Sequence, residues 1–180
     1  MDSFTDILKR ATREIPEEYF KLPIYGGNNA DIYRERVYCY ELYHQLRNIW
    51  PTDKQYRLCG EIDKRAHPTF SEATETPDFL IHRPGYIDNY AIIEVKPSNF
   101  RPEKLKKDFK TIYKFMNSPN SNYSRGICLI YGNNNQVVEK IERAVQSSQL
   151  DLTQLEVWKQ DNSGEEAYHL NITGTKWVNE

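Results

Sequence analysis

Two apolar runs joined by a short turn segment constrain the fold more than any other part of the chain. The first run spans residues 78–82 and the second spans residues 90–96, with a Pro-Gly turn segment between them. Runs of this length and composition predict two β-strands paired as an antiparallel hairpin. Apolar side chains occupy both faces of this hairpin, so helices are expected to cover the sheet on both sides.

Three ionisable residues lie at one end of the predicted hairpin. Asp78 opens the first strand, and Glu94, Val95 and Lys96 close the second. A turn centred near residues 86 and 87 places Asp78 opposite Val95. A register shift of one residue places Asp78 on the face that carries Glu94 and Lys96, because side chains alternate along a strand. The turn is too long to fix the register, so both pairings stay open.

The rest of the hydrophobic pattern predicts alternating helices and strands. Helices are predicted at residues 3–13, 16–20, 32–50, 103–117 and 136–148. Further strands are predicted at residues 55–64, 125–131, 154–159 and 167–173. The order gives an α/β fold, with an α-β-β-β-α-β core, a C-terminal helix and a closing hairpin around a mixed central sheet.

The chain of 180 residues suits one domain with a sizeable core. Residues 1–31 are predicted to form an N-terminal helical extension, and residues 32–180 one domain whose core spans residues 32–131. No apolar run reaches the roughly 18 residues of a membrane span, and the N-terminus lacks the pattern of a signal peptide. A cytoplasmic protein with no membrane partner is therefore expected. The small size predicts a homodimer or a larger assembly.

One segment of the chain is strongly basic although the whole chain carries a formal net charge of −2. Residues 101–114 contain six basic and two acidic residues, which leaves a local charge of +4 directly after the Glu-Val-Lys strand. A solvated helix face is one interpretation. The position beside an acidic cluster favours contacts with phosphate groups instead. The candidate contacts with nucleic acid are Lys104, Lys106, Lys107 and Lys110.

Two carboxylates and an amine held together supply the groups that metal-assisted hydrolysis of a phosphodiester requires. Mg²⁺ prefers oxygen ligands and keeps several waters, so two or three carboxylates suffice. A bound metal polarises the phosphate and acidifies a water molecule. A nearby lysine can orient or deprotonate that water, or offset the phosphate charge. Asp78 and Glu94 are therefore candidate ligands for Mg²⁺ or Mn²⁺, with Lys96 beside them.

The Pro-Asp pair at residues 77–78 and the Glu-Val-Lys triplet at residues 94–96 resemble the motif of the PD-(D/E)xK nuclease superfamily. The resemblance covers roughly residues 32–131 and includes the order of helices and strands. It implies a restriction-endonuclease-like fold and Mg²⁺- or Mn²⁺-dependent cleavage of DNA or RNA, with a DNA endonuclease favoured. The alternative is a protein of this fold that binds nucleic acid or a protein partner without cutting.

The resemblance also assigns roles to individual residues. Asp78, Glu94 and Lys96 match the catalytic motif, and the Val95 carbonyl is an implied metal ligand. Many members carry a further acid on the first core helix, and Glu35 is favoured for this role because it lies near the apolar stripe of that helix.

Three other acids remain candidates for the same metal. Glu41 lies about 150° from the apolar stripe of the first core helix, which makes it the second choice after Glu35. Glu61 and Asp63 share one face of the strand that precedes the hairpin, from which they could reach the metal. A solvated strand end is the alternative interpretation for both.

Three cysteines, Cys39, Cys59 and Cys128, are far apart in the chain. Each lies among apolar residues. All three are therefore predicted to be small core residues, with neither a disulfide framework nor a zinc site.

Overall fold

A computed structural model describes residues 3–23, 25, 32–52, 55–61, 76–119 and 121–170 of the chain. Within these ranges the chain forms five helices and six strands. The helices are α1 (Phe4–Arg13), α2 (Glu17–Phe20), α3 (Glu35–Ile49), α4 (Pro102–Asn117) and α5 (Val137–Ser148). The strands are β1 (Arg57–Gly60), β2 (Phe79–His82), β3 (Asn89–Pro97), β4 (Tyr123–Tyr131), β5 (Leu155–Gln160) and β6 (Tyr168–His169).

The six strands form one open, mixed sheet in the order of the chain. β1, β2 and β3 pair antiparallel, as do β5 and β6, whereas β3, β4 and β5 run parallel to one another. α4 and α5 connect the parallel strands, because parallel neighbours require a crossover connection. The predicted α/β class and mixed sheet are confirmed. The restriction-endonuclease-like arrangement stays a prediction.

Each face of the sheet buries a separate apolar core. Ile93 and Val95 of β3 pack in a core with residues of α1, α2 and α3. Ile92, which immediately precedes Ile93, packs in a second core with residues of α4 and α5. This alternation is the period of a strand that is buried on both sides. The prediction that helices cover both faces of the hairpin is confirmed.

The register of the hairpin is shifted by one residue from the pairing of Asp78 with Val95. Phe79 pairs with Ile93, and continuing this register places Asp78 opposite Glu94. The structure thus adopts the second of the two predicted registers. At the turn end His82 pairs with Asn89, and a bulge between Ile81 and His82 separates this pairing from the register of the rest of the hairpin.

The N-terminal helices pack into the core beside α3. Ile7, Leu8 and Ala11 of α1 are buried in the same core as Leu42 of α3. Ser3 caps α1 with a reciprocal hydrogen bond to Asp6, a capping box that satisfies backbone donors at the helix start. The division of the chain at residue 31 stays a prediction. None of the described helices is long and apolar enough to span a membrane.

Several predicted element ends differ from the observed ones. β1 ends at Gly60, and the remainder of the strand predicted to reach residue 64 lies largely outside the described residues. The end of the final strand, predicted at residues 171–173, also lies outside them. α3 begins at Glu35 instead of residue 32, which makes this glutamate the first helical residue.

Candidate active site

Four predicted site residues from three elements meet at one end of the strands, where β2 begins and β3 ends. Asp78 immediately precedes β2, and its carboxylate accepts a hydrogen bond of 2.7 Å from the Val95 amide of β3. Lys96, further along β3, donates a hydrogen bond of 2.8 Å from its ammonium to the Glu35 carboxylate. Glu94 lies opposite Asp78 in the hairpin register, and the charge of Asp78 contributes to raising the pKa of Glu94. The structure therefore brings Asp78, Glu94, Lys96 and Glu35 together.

Local structure explains why two of these carboxylates are held at this end of the strands. Glu35 is the first residue of α3, where the partial positive charge of the helix N-terminus favours a carboxylate. Two hydrogen bonds hold Asp78 in place. Its backbone carbonyl accepts a hydrogen bond of 3.0 Å from the Glu61 amide. Its side chain in turn accepts the Val95 amide, so the start of β2 is pinned between β1 and β3.

The pKa of each carboxyl in the Asp78–Glu94 pair is raised above its usual value. Glu94 is 6 % exposed, and burial followed by the charges of Asp78 and Asp108 raises its pKa well above the usual value. Burial also raises the pKa of Asp78 to about 6, although the hydrogen bond from Val95 favours its charged form. Both shifts favour the protonated form, and the shift is strongest for Glu94, the more deeply buried of the two carboxyls.

Asp108 of α4 completes the cluster, and the sequence analysis missed it. It is 8 % exposed, and its carboxylate lies 3.4 Å from the Lys96 ammonium, an ion pair that lacks hydrogen-bond geometry. Burial raises the pKa of Asp108 to about 7 even though the charge of Lys96 lowers it. Its position between Leu105 and Ile112, in the buried stripe of α4, was the available sequence signal.

Lys96 carries its charge at neutral pH. Burial disfavours the ammonium, but the carboxylates of Asp108 and Glu35 outweigh this cost and hold the pKa of Lys96 above its usual value. A protonated lysine donates hydrogen bonds and accepts none. Of the three roles considered for this lysine, orienting a water and offsetting negative charge agree with this state, whereas deprotonating a water does not.

Glu61 lies beside Asp78 but its side chain has another partner. The Glu61 carboxylate is 3.4 Å from the Arg36 guanidinium, and both side chains are exposed. Its backbone, with a positive φ of 41°, turns so that the amide reaches Asp78. Asp63, the other candidate on this strand, lies outside the described residues.

Glu41 is buried within α3 and makes its described hydrogen bonds to its own helix. Its carboxylate accepts a hydrogen bond of 2.5 Å from the Gln45 side chain and lies 3.3 Å from the His44 ring. Among the described residues, no hydrogen bond or ion pair links Glu41 to Asp78 or Glu94. The structure therefore assembles the cluster around Glu35.

One of the four candidate lysines on α4 reaches the cluster. Lys104 lines a pocket of about 350 Å³ together with Glu35 and Lys96. Lys106 and Lys110 project from the side of α4 opposite its buried stripe, and Lys107 is exposed. These three provide positive charge on the outer surface of α4, at a distance from the carboxylates.

A second pocket opens on the other side of Glu35. It has a volume of about 290 Å³ and is lined by Glu35, Arg36, Glu61, Thr76 and Asp78. Glu35 thus stands between two solvent-accessible hollows, one acidic and one that contains two lysines. Small solutes can approach the cluster from either side.

The donor chemistry of the cluster fits a hard divalent cation. In the described part of the chain, no group of three or more Asp, Glu, His or Cys side chains is arranged to hold a metal ion. Burial and the charges of Asp78 and Asp108 nevertheless raise the pKa of Glu94, and a bound cation would offset this repulsion. A cation that keeps several waters needs few protein oxygens, so Asp78 and Glu94 suffice as ligands.

Comparison of this chain with protein-family models, with curated proteins and with solved structures finds no match. The function of this chain therefore has to follow from the geometry and chemistry of the cluster itself.

The stability of the metal-free protein is expected to fall as pH rises, because folding raises the pKa of two buried carboxyl groups. Burial raises the pKa of Asp78 from 3.8 to about 6 and that of Asp108 from 3.8 to about 7. A carboxyl whose pKa is raised by folding stabilises the fold fully below the unfolded pKa, and this contribution is lost as pH rises through the folded pKa. Each such proton changes the free energy of unfolding by about 1.4 kcal/mol per pH unit.

The substitution Asp108→Asn is therefore expected to flatten this pH dependence. Urea unfolding in EDTA at about pH 5 and about pH 8 would measure it. Glu103→Gln, at an exposed acid of the same helix, is the matched control and should leave the dependence unchanged. An unchanged slope in Asp108→Asn would contradict the assignment.

Proposed function

We propose that this protein is a metal-dependent nuclease of the PD-(D/E)xK type that hydrolyses phosphodiester bonds of nucleic acid, with DNA the favoured substrate. One observation supports the proposal. At the end where β2 begins and β3 ends, Glu35 lies together with Asp78, Glu94 and Lys96. Two buried carboxyls beside a charged lysine form a costly arrangement that a stable core does not need.

Asp78 and Glu94 would hold Mg²⁺ or Mn²⁺, with Glu35 and the Val95 carbonyl as further ligands. When bound, the ion supplies a Lewis acid that offsets charge on the phosphate and acidifies a water molecule. Glu94 gives up its proton in that state, because a positive charge beside both carboxylates removes the repulsion that keeps one of them neutral.

Lys96 acts as an ammonium in the proposed reaction. Glu35 and Asp108 hold it from two helices, at 2.8 Å and 3.4 Å, so its position is fixed before substrate arrives. From there it donates a hydrogen bond to the attacking water or to a phosphate oxygen, where negative charge develops. Asp108 is a positioning residue for Lys96.

Lys104 provides a positive charge that attracts a phosphate group toward the cluster. It lines the same pocket as Lys96, whereas Lys106, Lys107 and Lys110 spread positive charge over the outer surface of α4. Phosphate contacts of this kind fix the register of a nucleic acid without reading its sequence. Lys104 is therefore expected to act close to the scissile bond and the other three at flanking phosphates.

A cleavage panel tests the proposal. The purified protein is incubated with single-stranded, double-stranded and branched DNA and with RNA, in Mg²⁺, in Mn²⁺ and in EDTA. The wild type is expected to cut or nick at least one substrate only when the cation is present. Asp78→Asn should lower the rate by more than about 100-fold, since changes to groups around metal ligands alone cost 10–100-fold. Asp88→Asn, at an exposed aspartate of the β2–β3 turn, is the control. Cleavage that persists in EDTA would contradict a metal-dependent reaction.

A nuclease-fold protein that binds nucleic acid or a protein partner without cutting is the second candidate. The engagement of Lys96 by both Glu35 and Asp108 favours it, because a lysine neutralised in this way has less charge to offer a phosphate. Calorimetry separates the two functions. Nucleic-acid binding with no binding of Mg²⁺ or Mn²⁺, together with an inactive wild type, would support the second candidate.

A further inference from the structure

A thiol and an imidazole lie side by side on the two strands at one edge of the sheet. The Cys59 sulfur is 3.3 Å from Nε2 of His82. Cys59 of β1 pairs with Leu80 of β2, and His82 lies two residues beyond Leu80, so both side chains occupy the same face. Both residues are half-buried.

A buried hydroxyl points to a ligand at this pair. Tyr123 is 3 % exposed, and its hydroxyl has no hydrogen-bond partner among the described residues. Its ring packs against Phe115 with the ring centres 5.7 Å apart. Burial raises the pKa of Tyr123. Tyr123 packs in the same core as Leu80, and Leu80 pairs with Cys59, so the tyrosine and the cysteine share one face of the sheet. A buried donor without a partner is costly, and a polar group on the sulfur would satisfy it.

Cys59 differs in this respect from the other two cysteines. Cys39 and Cys128 are 5 % and 0 % exposed, and burial raises the pKa of each thiol well above its usual value. Both remain neutral thiols in apolar surroundings and are inert. The prediction that the three cysteines are core residues is correct for these two, whereas Cys59 is half-buried beside an imidazole.

We propose that Cys59 is a reactive thiol that small peroxides oxidise to a sulfenic acid, with His82 as the proton acceptor and Tyr123 as a hydrogen-bond donor to the new oxygen. The proposal is independent of the nuclease function, because it uses no residue of the carboxylate cluster.

The atoms and electrons of the reaction balance between hydrogen peroxide, Cys59 and His82. His82, in the tautomer protonated at Nδ1, takes the thiol proton at Nε2 and leaves a thiolate. The sulfur attacks one peroxide oxygen, the S–O bond forms, and the O–O bond breaks with its electron pair on the departing hydroxide. The hydroxide takes the proton from His82 and leaves as water. Sulfur has then lost two electrons to the peroxide, and Cys59 carries a sulfenic acid.

Trapping with dimedone, followed by peptide mass spectrometry, tests the proposal on the full-length protein in EDTA. With stoichiometric hydrogen peroxide at about pH 6.5, the adduct is expected on Cys59 and absent from Cys39 and Cys128. His82→Gln should slow its formation at least about fivefold, because the thiol loses its proton acceptor. His44→Gln, at an exposed ring on α3, should leave the rate unchanged.

Two results would overturn the proposal: no adduct on Cys59, or equal rates in wild type and His82→Gln. If His82→Gln does not fold, the wild type decides the question through its alkylation by iodoacetamide. The rate at Cys59 should fall less between about pH 8.5 and about pH 6.5 than the rate of free cysteine, which titrates near 8.5. A profile identical to that of free cysteine would reject the thiolate–imidazole pair.

Discussion

Lys96→Met is expected to reduce cleavage by about 1,000-fold or more, which corresponds to about 4 kcal/mol of lost transition-state stabilisation. The ammonium of Lys96 is the positive charge that contacts both Glu35 and Asp108, and it faces the pocket shared with Lys104. Methionine keeps the length of the side chain and removes its charge. The phosphate would then meet the four acids of the cluster with no fixed donor. Single-turnover rates in saturating Mg²⁺ measure this loss.

Two further lysine variants make the result specific to the position of the charge. Lys96→Arg keeps the charge in a different shape, so it should recover part of the rate but not all of it. Lys110→Met removes a charge from the outer surface of α4, so it should weaken substrate binding and leave the single-turnover rate nearly unchanged. Full activity in Lys96→Met, with the thermal unfolding of the variant unchanged, would reject the proposed role.

Glu94→Gln is expected to abolish cleavage and, in the absence of metal, to stabilise the protein. Burial raises the pKa of Glu94, so folding at neutral pH must place a proton on a carboxyl that is ionised in the unfolded chain. Glutamine is neutral, has a similar shape and can still donate to Asp78. The expected gain is about 0.5–2 kcal/mol, the range of single stabilising substitutions, and it should be larger at about pH 8 than at about pH 5.

Urea unfolding with and without Mg²⁺ tests whether Glu94→Gln gains stability although it loses activity. Mg²⁺ should stabilise the wild type, because a ligand that binds the folded chain shifts the unfolding equilibrium, and it should stabilise Glu94→Gln far less. Metal-free Glu94→Gln that is less stable than the wild type would show that Glu94 serves the fold and would count against its assignment as a metal ligand.

The arrangement of helices on both faces of the sheet could be predicted because apolar residues fill both faces of the β2–β3 hairpin. Phe79 and Leu80 are adjacent in sequence and enter different cores, which a strand exposed on one side could not accommodate. The register could not be predicted by the same evidence. With both faces apolar, a shift of one residue exchanges one buried set for another, so burial alone does not decide between the registers.

The cluster was predicted where its residues follow a strand pattern and missed where they depend on packing. Asp108 was counted among the surface charges of a basic helix, although it lies three residues after Leu105 and four before Ile112 on the buried stripe. Glu41 is the opposite case, because its position outside the apolar stripe does not reveal that packing buries it. It was placed away from the apolar stripe, yet it is buried, because α1 and α2 as well as the sheet pack on α3 and cover more than one of its sides.

The ion pairs of Lys96 make assembly of the cluster a late event in folding. Glu35 belongs to the helical layer on one side of the sheet and Asp108 to the layer on the other, and Lys96 reaches both from the strand between them. The bond from Lys96 to Glu35 closes a separation of 61 residues. Such long-range contacts form after local ones because of their loop-closure entropy. A nascent or partly unfolded chain would therefore lack the assembled cluster, so that under the proposed function hydrolysis would begin only with the finished fold.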